Sequence, residues 1–354
     1  MKPVPDPADV RTVAVRLTNW VGDAVMNTPF LGEVRRLFPQ ARIIALGRRS
    51  VTPLFDPHPF VDEVWTIDDR TVGGRWDAAR RLRRCAPDLG FALPNSMNAA
   101  LLLRLGGVRT RVGYARDGRG LLLTHAIALR PQDLAVHEVR YYLRLLSLWG
   151  APAAETPRLH LHVTEDEVAK MREWLAGKGL RGGQTVFGVN PAAFYGTAKR
   201  WLPERFAEVA RRLAEEHDGQ VFVTGIERER AVAQEVCDAG GNAFVNTAGE
   251  MSLRELMAFM RCCRLYLTND SGAMHLAAAL GTPLVAVFGS TDWVTTAPLS
   301  PSARIVREET ECAPCLLRDC PIDHRCMTRV TSESVLAQAR ALMDETTDVA
   351  GRTL

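Results

Sequence analysis

A tight polar turn in the second half of the chain carries residues that could bind an anion. The turn Asn269–Gly272 follows an apolar segment that predicts a buried strand (Leu265–Thr268) and precedes one that predicts a helix (Ala273–Leu280). Open parallel sheets bind ligands at the carboxyl ends of their strands, and the first amides of a helix have no partner within it. The turn could therefore hold a phosphate oxygen. The alternative is that Asp270 or Ser271 only caps the helix.

A second candidate is Asp23, which follows Gly22 in the loop after the first predicted strand. A carboxylate in that position could take the proton of an acceptor hydroxyl as a general base. Position alone favours a simpler role for Asp23 as the cap of the next helix. The neighbouring Trp20 is either the wall of a sugar pocket or a core residue.

Two further candidates follow strands of the second half. Lys199 comes after the predicted strand Thr185–Asn190, where a cation could stabilise the charge that grows on a leaving diphosphate. The alternative is an exposed surface lysine. Glu227 follows the predicted strand Val221–Thr224, where a carboxylate can accept both hydroxyls of a ribose, and Glu229 could make the same contact.

Three other residues are candidates for contact with a nucleotide donor. Thr197 and Arg200 flank Lys199 in one loop. His275 lies four residues beyond Ser271 on the same face of the predicted helix, and for this residue a core position is favoured over a contact.

The sequence motifs in these segments resemble those of one family of enzymes. The segment from Asn269 reads N-D-S-G-x-M-H-x-A-A-A-L-x-x-P-x-V-A-x-F-G, and it is preceded by W-V-G-D at Trp20–Asp23 and A-K-R-W at Ala198–Trp201. A Cys-rich segment follows from Cys312. Together these motifs, which span most of the chain in the expected order, resemble the heptosyltransferases of glycosyltransferase family 9, which use ADP-heptose in lipopolysaccharide core assembly.

The resemblance implies an inverting transfer of heptose from ADP-heptose to the lipid A–Kdo/heptose core. Asp23 would be the base and Lys199 would stabilise the diphosphate, with Thr197, Arg200, Glu227, Asp270, Ser271, Gly272 and His275 as donor-binding candidates and Trp20 and Gly22 near the acceptor sugar. The sequence contains no D-x-D motif, the usual holder of Mg²⁺ in nucleotide-sugar enzymes, so catalysis is expected to need no metal cofactor. The Cys-rich segment favours the member that adds the second heptose over members with other acceptors.

The Cys-rich segment (Cys312–Cys326) is a candidate structural metal site. Its cysteines have the spacing C-x₂-C-x₄-C-x₅-C, with His324 inside the last gap, and they are Cys312, Cys315, Cys320 and Cys326. Four thiolates within so short a segment can close a tetrahedral Zn²⁺ site, although standard zinc fingers separate their ligand pairs further. Free thiols are the main alternative, and disulfides are less expected in a cytosolic protein.

Strand and helix patterns alternate along the whole chain, which predicts an α/β protein. We expect residues 1–150 to form an acceptor-binding domain, 151–160 a linker, and 161–354 an ADP-sugar-binding domain with the Cys-rich segment and a closing helix. The resemblance gives this arrangement a name, GT-B: two Rossmann-like parallel-sheet domains facing across a cleft. Single helices are predicted over Ala24–Phe38 and His137–Trp149.

Composition excludes several other classes of protein. The chain of 354 residues is 47% hydrophobic and 24% charged, which is typical of a soluble globular protein, and its net charge of +3 is too small to indicate nucleic acid binding. The range Arg70–Arg119, however, holds eleven arginines and three aspartates. This excess of positive charge suits an anionic membrane surface, with a solvated arginine-rich face as the alternative.

The start of the sequence has no signal-peptide pattern and no segment reaches the length of a membrane span, so we expect a cytoplasmic protein that is peripheral to the inner membrane. The loop after the first strand lacks G-x-G-x-x-G, which argues against a dinucleotide-dependent enzyme. A non-catalytic nucleotide-binding protein is the alternative from another class. It is disfavoured because a binding protein does not need the acid at Asp23.

Overall fold

The computed structural model describes residues 3–150 and 156–347, and the chain forms two compact units, Met1–His162 and Val163–Leu354. The predicted linker, 151–160, falls in part on residues 151–155, which lie outside the described residues. Each unit has its own parallel sheet and its own core, and each is treated separately below.

Unit 1 (Met1–His162) contains a six-stranded parallel sheet with the order β3-β2-β1-β4-β5-β6. Its central strands are buried, with Val13, Ala14 and Val15 of β1 inaccessible to solvent, because helices cover both faces of such a sheet. The strands are β1 (Thr12–Arg16), β2 (Arg42–Gly47), β3 (Glu63–Thr66), β4 (Leu89–Ala92), β5 (Thr110–Tyr114) and β6 (His125–Ile127).

The helices of unit 1 are α1 (Val21–Met26), α2 (Thr28–Leu37), α3 (Val72–Cys85), α4 (Met97–Leu105) and α5 (Glu138–Leu143). The single helix expected over Ala24–Phe38 is wrong: two helices meet at Asn27, because Pro29 lies in the first turn of α2 and a proline fits there but not inside a helix. The helix expected over His137–Trp149 is also shorter, since α5 passes into a 3₁₀ helix at Arg144.

Unit 2 (Val163–Leu354) repeats the topology, with the order β12-β11-β10-β7-β8-β9, and all its pairings are parallel. The sequence reading missed β12, a strand of only four residues. The strands are β7 (Thr185–Asn190), β8 (Gly219–Val223), β9 (Phe244–Asn246), β10 (Leu265–Asn269), β11 (Leu284–Val287) and β12 (Ala303–Val306).

The helices of unit 2 are α6 (Glu165–Gly177), α7 (Pro203–Glu216), α8 (Arg230–Gly240), α9 (Leu253–Cys262), α10 (Gly272–Ala279), α11 (Trp293–Thr296), α12 (Arg325–Thr328) and α13 (Ser332–Thr347). The capping box predicted at the start of α6 is present, with Thr164 and Glu167 bonded to each other's backbone amides. Buried side chains of α7, α8 and α13 form one core with the sheet. The closing helix α13 is longer than the predicted segment.

Each sheet has the strand order of a Rossmann fold, so the predicted α/β class with two Rossmann-like parallel sheets is confirmed. In this order the direction of winding reverses between β1 and β4 of unit 1 and between β7 and β10 of unit 2. Ligands of open α/β sheets bind beyond the carboxyl ends of the strands at such a reversal. The loops that follow β1, β7 and β10 are therefore the expected positions of ligand-binding residues. Among the described residues no helix is long and apolar enough to cross a membrane.

Candidate active site

The winding reversal of unit 2 brings together two of the predicted site residues. The ammonium Nζ of Lys199 lies 2.6 Å from Oδ2 of Asp270, and both side chains are largely buried, with exposed fractions of 15% and 5%. The hydroxyl of Thr291 donates to the same carboxylate oxygen at 2.6 Å. The surface-lysine alternative is therefore wrong: Lys199 is held in place by a carboxylate at the carboxyl end of β10.

The loop that carries Lys199, here called the lysine loop (Tyr195–Trp201), is fixed to the sheet by its last residue. Trp201 is fully buried, and its indole N–H donates to the carbonyl of Val330 at 3.0 Å. Its backbone amide donates to Oδ1 of Asn269 at 2.9 Å, while the amide group of Asn269 donates to the carbonyl of Pro191 at 2.8 Å. Asn269 therefore connects the loop after β7 to the end of β10.

The turn before α10 does not cap the helix with a side chain. Ser271 occupies the N-cap position but makes no capping hydrogen bond; its hydroxyl lies 3.1 Å from that of Thr268. The carboxylate of Asp270 is bonded to Lys199 and Thr291 instead. The cap interpretation of Asp270 and Ser271 is therefore wrong. The first amides of α10, beginning at Gly272, take no side-chain cap and remain suitable for an anion.

The two candidate ribose acids have different surroundings. Oε2 of Glu229 accepts the backbone N–H of Ile226 at 3.0 Å, so this carboxylate closes the local turn. Glu227 packs against Gly249. The φ angle of Gly249 is +84°, and a side chain at position 249 would overlap the carboxylate of Glu227. Glu227 makes no ion pair among the described residues. It is therefore the better candidate for the ribose, a choice that the sequence left open.

The other donor candidates are distributed around the same turn. Thr197 is exposed, and its hydroxyl donates to Oδ1 of Asp319 at 2.6 Å. Arg200 is half-buried, and its Nε is buried without a hydrogen bond in the described part of the chain. His275 is buried in α10, in agreement with the core position favoured for it.

In unit 1 the structure places Asp23 in the first turn of α1, where it is half-buried. The N-cap of α1 is Trp20, so Asp23 is not the cap of this helix. Trp20 is 57% exposed, which excludes the core alternative for it. Burial raises the pKa of Tyr142 well above its usual value, and the nearby carboxylate of Asp23 adds to the rise.

The loop that carries Trp20 is held by residues that the sequence did not single out. Arg16, at the end of β1, is fully buried and pairs with Asp69 at 2.6 Å; it also donates to Oδ1 of Asn19 at 2.7 Å and to the carbonyl of Leu17. Asn27 accepts hydrogen bonds from the amide and the hydroxyl of Thr18. An arginine within a buried strand was the available signal, since such a charge requires a partner.

The cysteines of the Cys-rich segment all border one small cavity of about 70 Å³, together with His324. All eight cysteines of the chain are free thiols. Burial raises the pKa of Cys326 to about 11, and the other three thiols of the segment add to the rise. Within residues 3–150 and 156–347, no group of three or more His, Cys, Asp or Glu side chains is placed to hold a metal ion. The four cysteines of the predicted zinc site therefore do not form such a group in the described part of the chain, although they border one cavity.

These arrangements define what each unit can do. In unit 2, a fixed cation, a helix N-terminus and the carboxylate of Glu227 lie near the carboxyl ends of β7, β8 and β10, which suits a nucleoside diphosphate. In unit 1, a half-buried carboxylate lies beside an exposed tryptophan, a combination suited to a sugar hydroxyl. Thr291 was missed although it lies two residues beyond the motif segment, because a threonine in a loop has many other uses.

The chain matches the family model "Glycosyltransferase family 9 (heptosyltransferase)" over residues 75–325. It is 29% identical over 339 residues to lipopolysaccharide heptosyltransferase 2 of Escherichia coli K12, covering 92% of this chain and 96% of that protein. It is 27% identical over 338 residues to lipooligosaccharide heptosyltransferase 2 of Campylobacter jejuni, covering 94% of this chain and 98% of that protein.

A solved structure agrees with these sequence comparisons. The structure of the Escherichia coli ADP-heptose lipopolysaccharide heptosyltransferase II superimposes on this chain with a TM-score of 0.83 and 28% identity, covering 95% of this chain and 99% of that one. The family model, the sequence relatives and the fold therefore point to the same group of enzymes.

Proposed function

This chain belongs to glycosyltransferase family 9, and from that premise we propose that it transfers a heptose from ADP-heptose to the inner core of lipopolysaccharide. The acceptor proposed is the first heptose of the core, so that the product carries the second. The observation that carries the proposal is the Lys199–Asp270 pair beside the N-terminus of α10. Relatives named for heptosyltransferase 2 support the choice of acceptor.

The proposed reaction is a single displacement. The acceptor hydroxyl oxygen bonds to the anomeric carbon, the bond from that carbon to the diphosphate oxygen breaks, and ADP leaves with the bonding electrons. Asp23 takes the proton of the hydroxyl. Lys199 and the first amides of α10 stabilise the negative charge that develops on the diphosphate. Because the resemblance implies inversion at the anomeric carbon, no covalent intermediate on the protein is needed.

Glu227 completes the proposed donor site by accepting the ribose hydroxyls. The role proposed for Asp270 differs from the helix cap and the donor contact that the sequence suggested. A carboxylate near a diphosphate would repel it, but the carboxylate of Asp270 is bonded to Lys199 and Thr291. We assign it the task of holding the Lys199 ammonium in one position.

The test is a transfer assay with ADP-heptose and purified acceptor lipids that carry either no heptose or the first heptose only. We expect release of ADP and the gain of one heptosyl residue on the second acceptor, with activity retained in EDTA. Transfer to the lipid without heptose would correct the acceptor. A protein that binds ADP but transfers heptose to neither lipid would support the non-catalytic alternative.

We further propose that unit 1 contacts an anionic membrane surface through the outer face of α3. Its buried face holds Ala78, Ala79 and Leu82. The outer face begins with two exposed apolar residues, Val72 and Trp76, and continues with exposed arginines: Arg80, Arg83 and Arg84. Exposed tryptophan next to basic residues is typical of a helix that lies at a lipid headgroup layer.

The charge available to that surface is smaller than the sequence count of eleven arginines. Arg119 is fully buried and donates to the backbone carbonyl of Tyr114 and to Oδ1 of Asn95. Arg111 donates to the carbonyls of Val108 and Leu122. These two arginines therefore serve the interior of unit 1, whereas Arg80, Arg83 and Arg84 of α3 are exposed.

A further inference from the structure

The Cys-rich segment is bound directly to the lysine loop. The amide of Ala198 donates to the carbonyl of Arg318 at 2.9 Å, and the carbonyl of Ala198 lies 3.0 Å from Nε2 of His324. The hydroxyl of Tyr195 donates to the carbonyl of Leu316 at 2.9 Å. Both backbone and side chains therefore join the segment to the loop that carries Lys199.

One contact shows how close this approach is. A Cβ atom at Gly196 would overlap the backbone of Arg318, including its carbonyl oxygen. Backbone atoms cannot move aside as the end of a flexible side chain can, so only glycine fits at this position. The position of Arg318 relative to the lysine loop is thus fixed by the main chain.

Arg318 and Lys199 border the same aromatic ring. The guanidinium carbon of Arg318 lies 5.2 Å from the ring centre of Tyr195, and Nζ of Lys199 lies 5.3 Å from that centre. Arg318 itself is exposed and forms no ion pair in the part of the chain that the structure describes. It is therefore a further exposed cation near Lys199, and the charge it shares with Arg200 acts only weakly on the carboxylate of Asp319, which is bonded to Thr197.

The charges of the site favour such a cation in addition to Arg200 of the lysine loop. The positive charge of Lys199 is opposed by Asp270 at 2.6 Å, so this pair has no net charge. A nucleoside diphosphate brings at least two negative charges, and its binding is favoured by cations that are not already neutralised. Arginine is well suited because its planar donors match two phosphate oxygens.

We propose that Arg318 is a further donor-binding residue that contacts the diphosphate, so that the Cys-rich segment forms part of the donor site. This inference rests on the proposed function, because it takes the ligand of unit 2 to be a nucleoside diphosphate. It gives the segment a role in binding that does not depend on its cysteines.

The test measures binding of ADP and of adenosine, which has the same base and ribose but no phosphate, to the full-length protein by calorimetry or competition. Arg318→Ala should weaken ADP binding about tenfold, the effect of losing one charge-assisted contact of about 1.4 kcal/mol. Its affinity for adenosine should change less than twofold, and Arg318→Lys should recover part of the ADP affinity. The matched control is Arg325→Ala, in the same segment, because Arg325 already pairs with Asp323 at 3.0 Å.

The outcomes separate this inference from the proposed function. If the wild type binds ADP and Arg318→Ala binds it equally well, the inference is wrong and the proposed function stands. Equal losses for ADP and adenosine would show that Arg318 only supports the shape of the loop, which also overturns the inference. A wild-type protein that does not bind ADP would overturn both.

Discussion

Single residues of the candidate site have their roles set by their bonded partners. Lys199 is a cation with a fixed position because Asp270 holds it and Thr291 in turn holds the carboxylate of Asp270. Glu229 serves the local turn, whereas Glu227 does not. Substitutions that keep shape and change charge are therefore the most informative tests.

The first prediction concerns the proposed base. Asp23→Asn removes the basicity of the carboxylate and keeps its size, so the turnover number should fall by about 10²-fold while ADP binding stays near that of the wild type. Asp9→Asn, an exposed acid of the same unit, is the control and should be fully active. Near-normal turnover of Asp23→Asn would remove Asp23 from the mechanism.

The second prediction concerns the Lys199–Asp270 pair. Lys199→Ala should lower the turnover number by about 10²–10³-fold, the usual effect of losing one group that stabilises charge in the transition state. Asp270→Asn keeps a side chain of the same shape but loses the charge that holds Nζ, and its loss should be smaller, about tenfold. Steady-state kinetics of both variants give the two turnover numbers, and thermal unfolding checks that both variants are folded. A larger loss in Asp270→Asn than in Lys199→Ala would contradict the assigned roles.

The third prediction separates the two neighbouring acids. Glu227→Gln should weaken ADP binding about tenfold and abolish the preference for ADP over its 2′-deoxy form, because the lost contact is to the ribose. Glu229→Gln is the matched control and keeps an oxygen that can accept the N–H of Ile226. Titration calorimetry with both nucleotides decides between them, and the reverse pattern would move the ribose contact to Glu229.

Among the elements, the start of α6 combines a capping box with a contact to another helix. Glu167 accepts hydrogen bonds from the amide of Thr164 at 2.8 Å and from Nε of Arg254 in α9 at 2.7 Å. The bond to Arg254 is the main reason that the pKa of Glu167 is lowered to about 2, and the cap adds to it. The carboxylate therefore stabilises the folded state while it is ionised.

The fourth prediction follows from this lowered pKa. Glu167→Gln should reduce the free energy of unfolding at pH 7 by about 1–2 kcal/mol, since the pair is partly exposed. The folded-state pKa lies below the ordinary value, so the stabilisation is complete above about pH 4.5 and is lost as the pH falls towards 2. Urea unfolding at several pH values should show the wild type and the variant converging in acid.

The control for this prediction is Glu165→Gln. Glu165 is an acid in the same helix turn, and its side chain is 84% exposed. It should change stability little at any pH. A gap between the wild type and Glu167→Gln that stayed constant down to pH 3 would show that the carboxylate charge is not the cause.

At the scale of the whole molecule, the proposed membrane contact assigns binding to unit 1 through α3. The fifth prediction is that the protein binds vesicles containing anionic lipid and that salt weakens this binding. The double variant Arg80→Ser/Arg84→Ser should lose about 30-fold in vesicle affinity, at roughly 1 kcal/mol for each basic residue near the surface.

The matched control removes the same charge from unit 2. Arg211→Ser/Arg212→Ser changes two arginines of α7 that pair with acids on their own helix, as Arg80 does with Asp77, and it should bind vesicles like the wild type. Equal losses in both double variants would indicate a general charge effect, and equal binding to neutral and anionic vesicles would refute the membrane contact.

The sequence by itself determined the fold class, most strands and helices, and the positions of Lys199 and the Asn269–Gly272 turn after strands. Asp23, expected in the loop after β1, lies instead in the first turn of α1. Hydrophobic periodicity and turn residues are local signals, and a parallel sheet then places such loops at one edge. The break at Asn27 was missed because the apolar pattern continues through it; Pro29, which fits in the first turn of a helix but not inside one, was the available signal.

Only the tertiary structure decided which side chains meet. Asp270 could have capped α10, contacted the donor or paired with Lys199, and Lys199 and Asp270 are 71 residues apart in sequence. The same holds for Arg16 with Asp69, and for the contact of Arg318 with the lysine loop. The four cysteines show the converse, because their spacing suggested a metal site whereas their side chains do not assemble one. Contacts between distant segments depend on packing in three dimensions, which spacing along the chain does not encode.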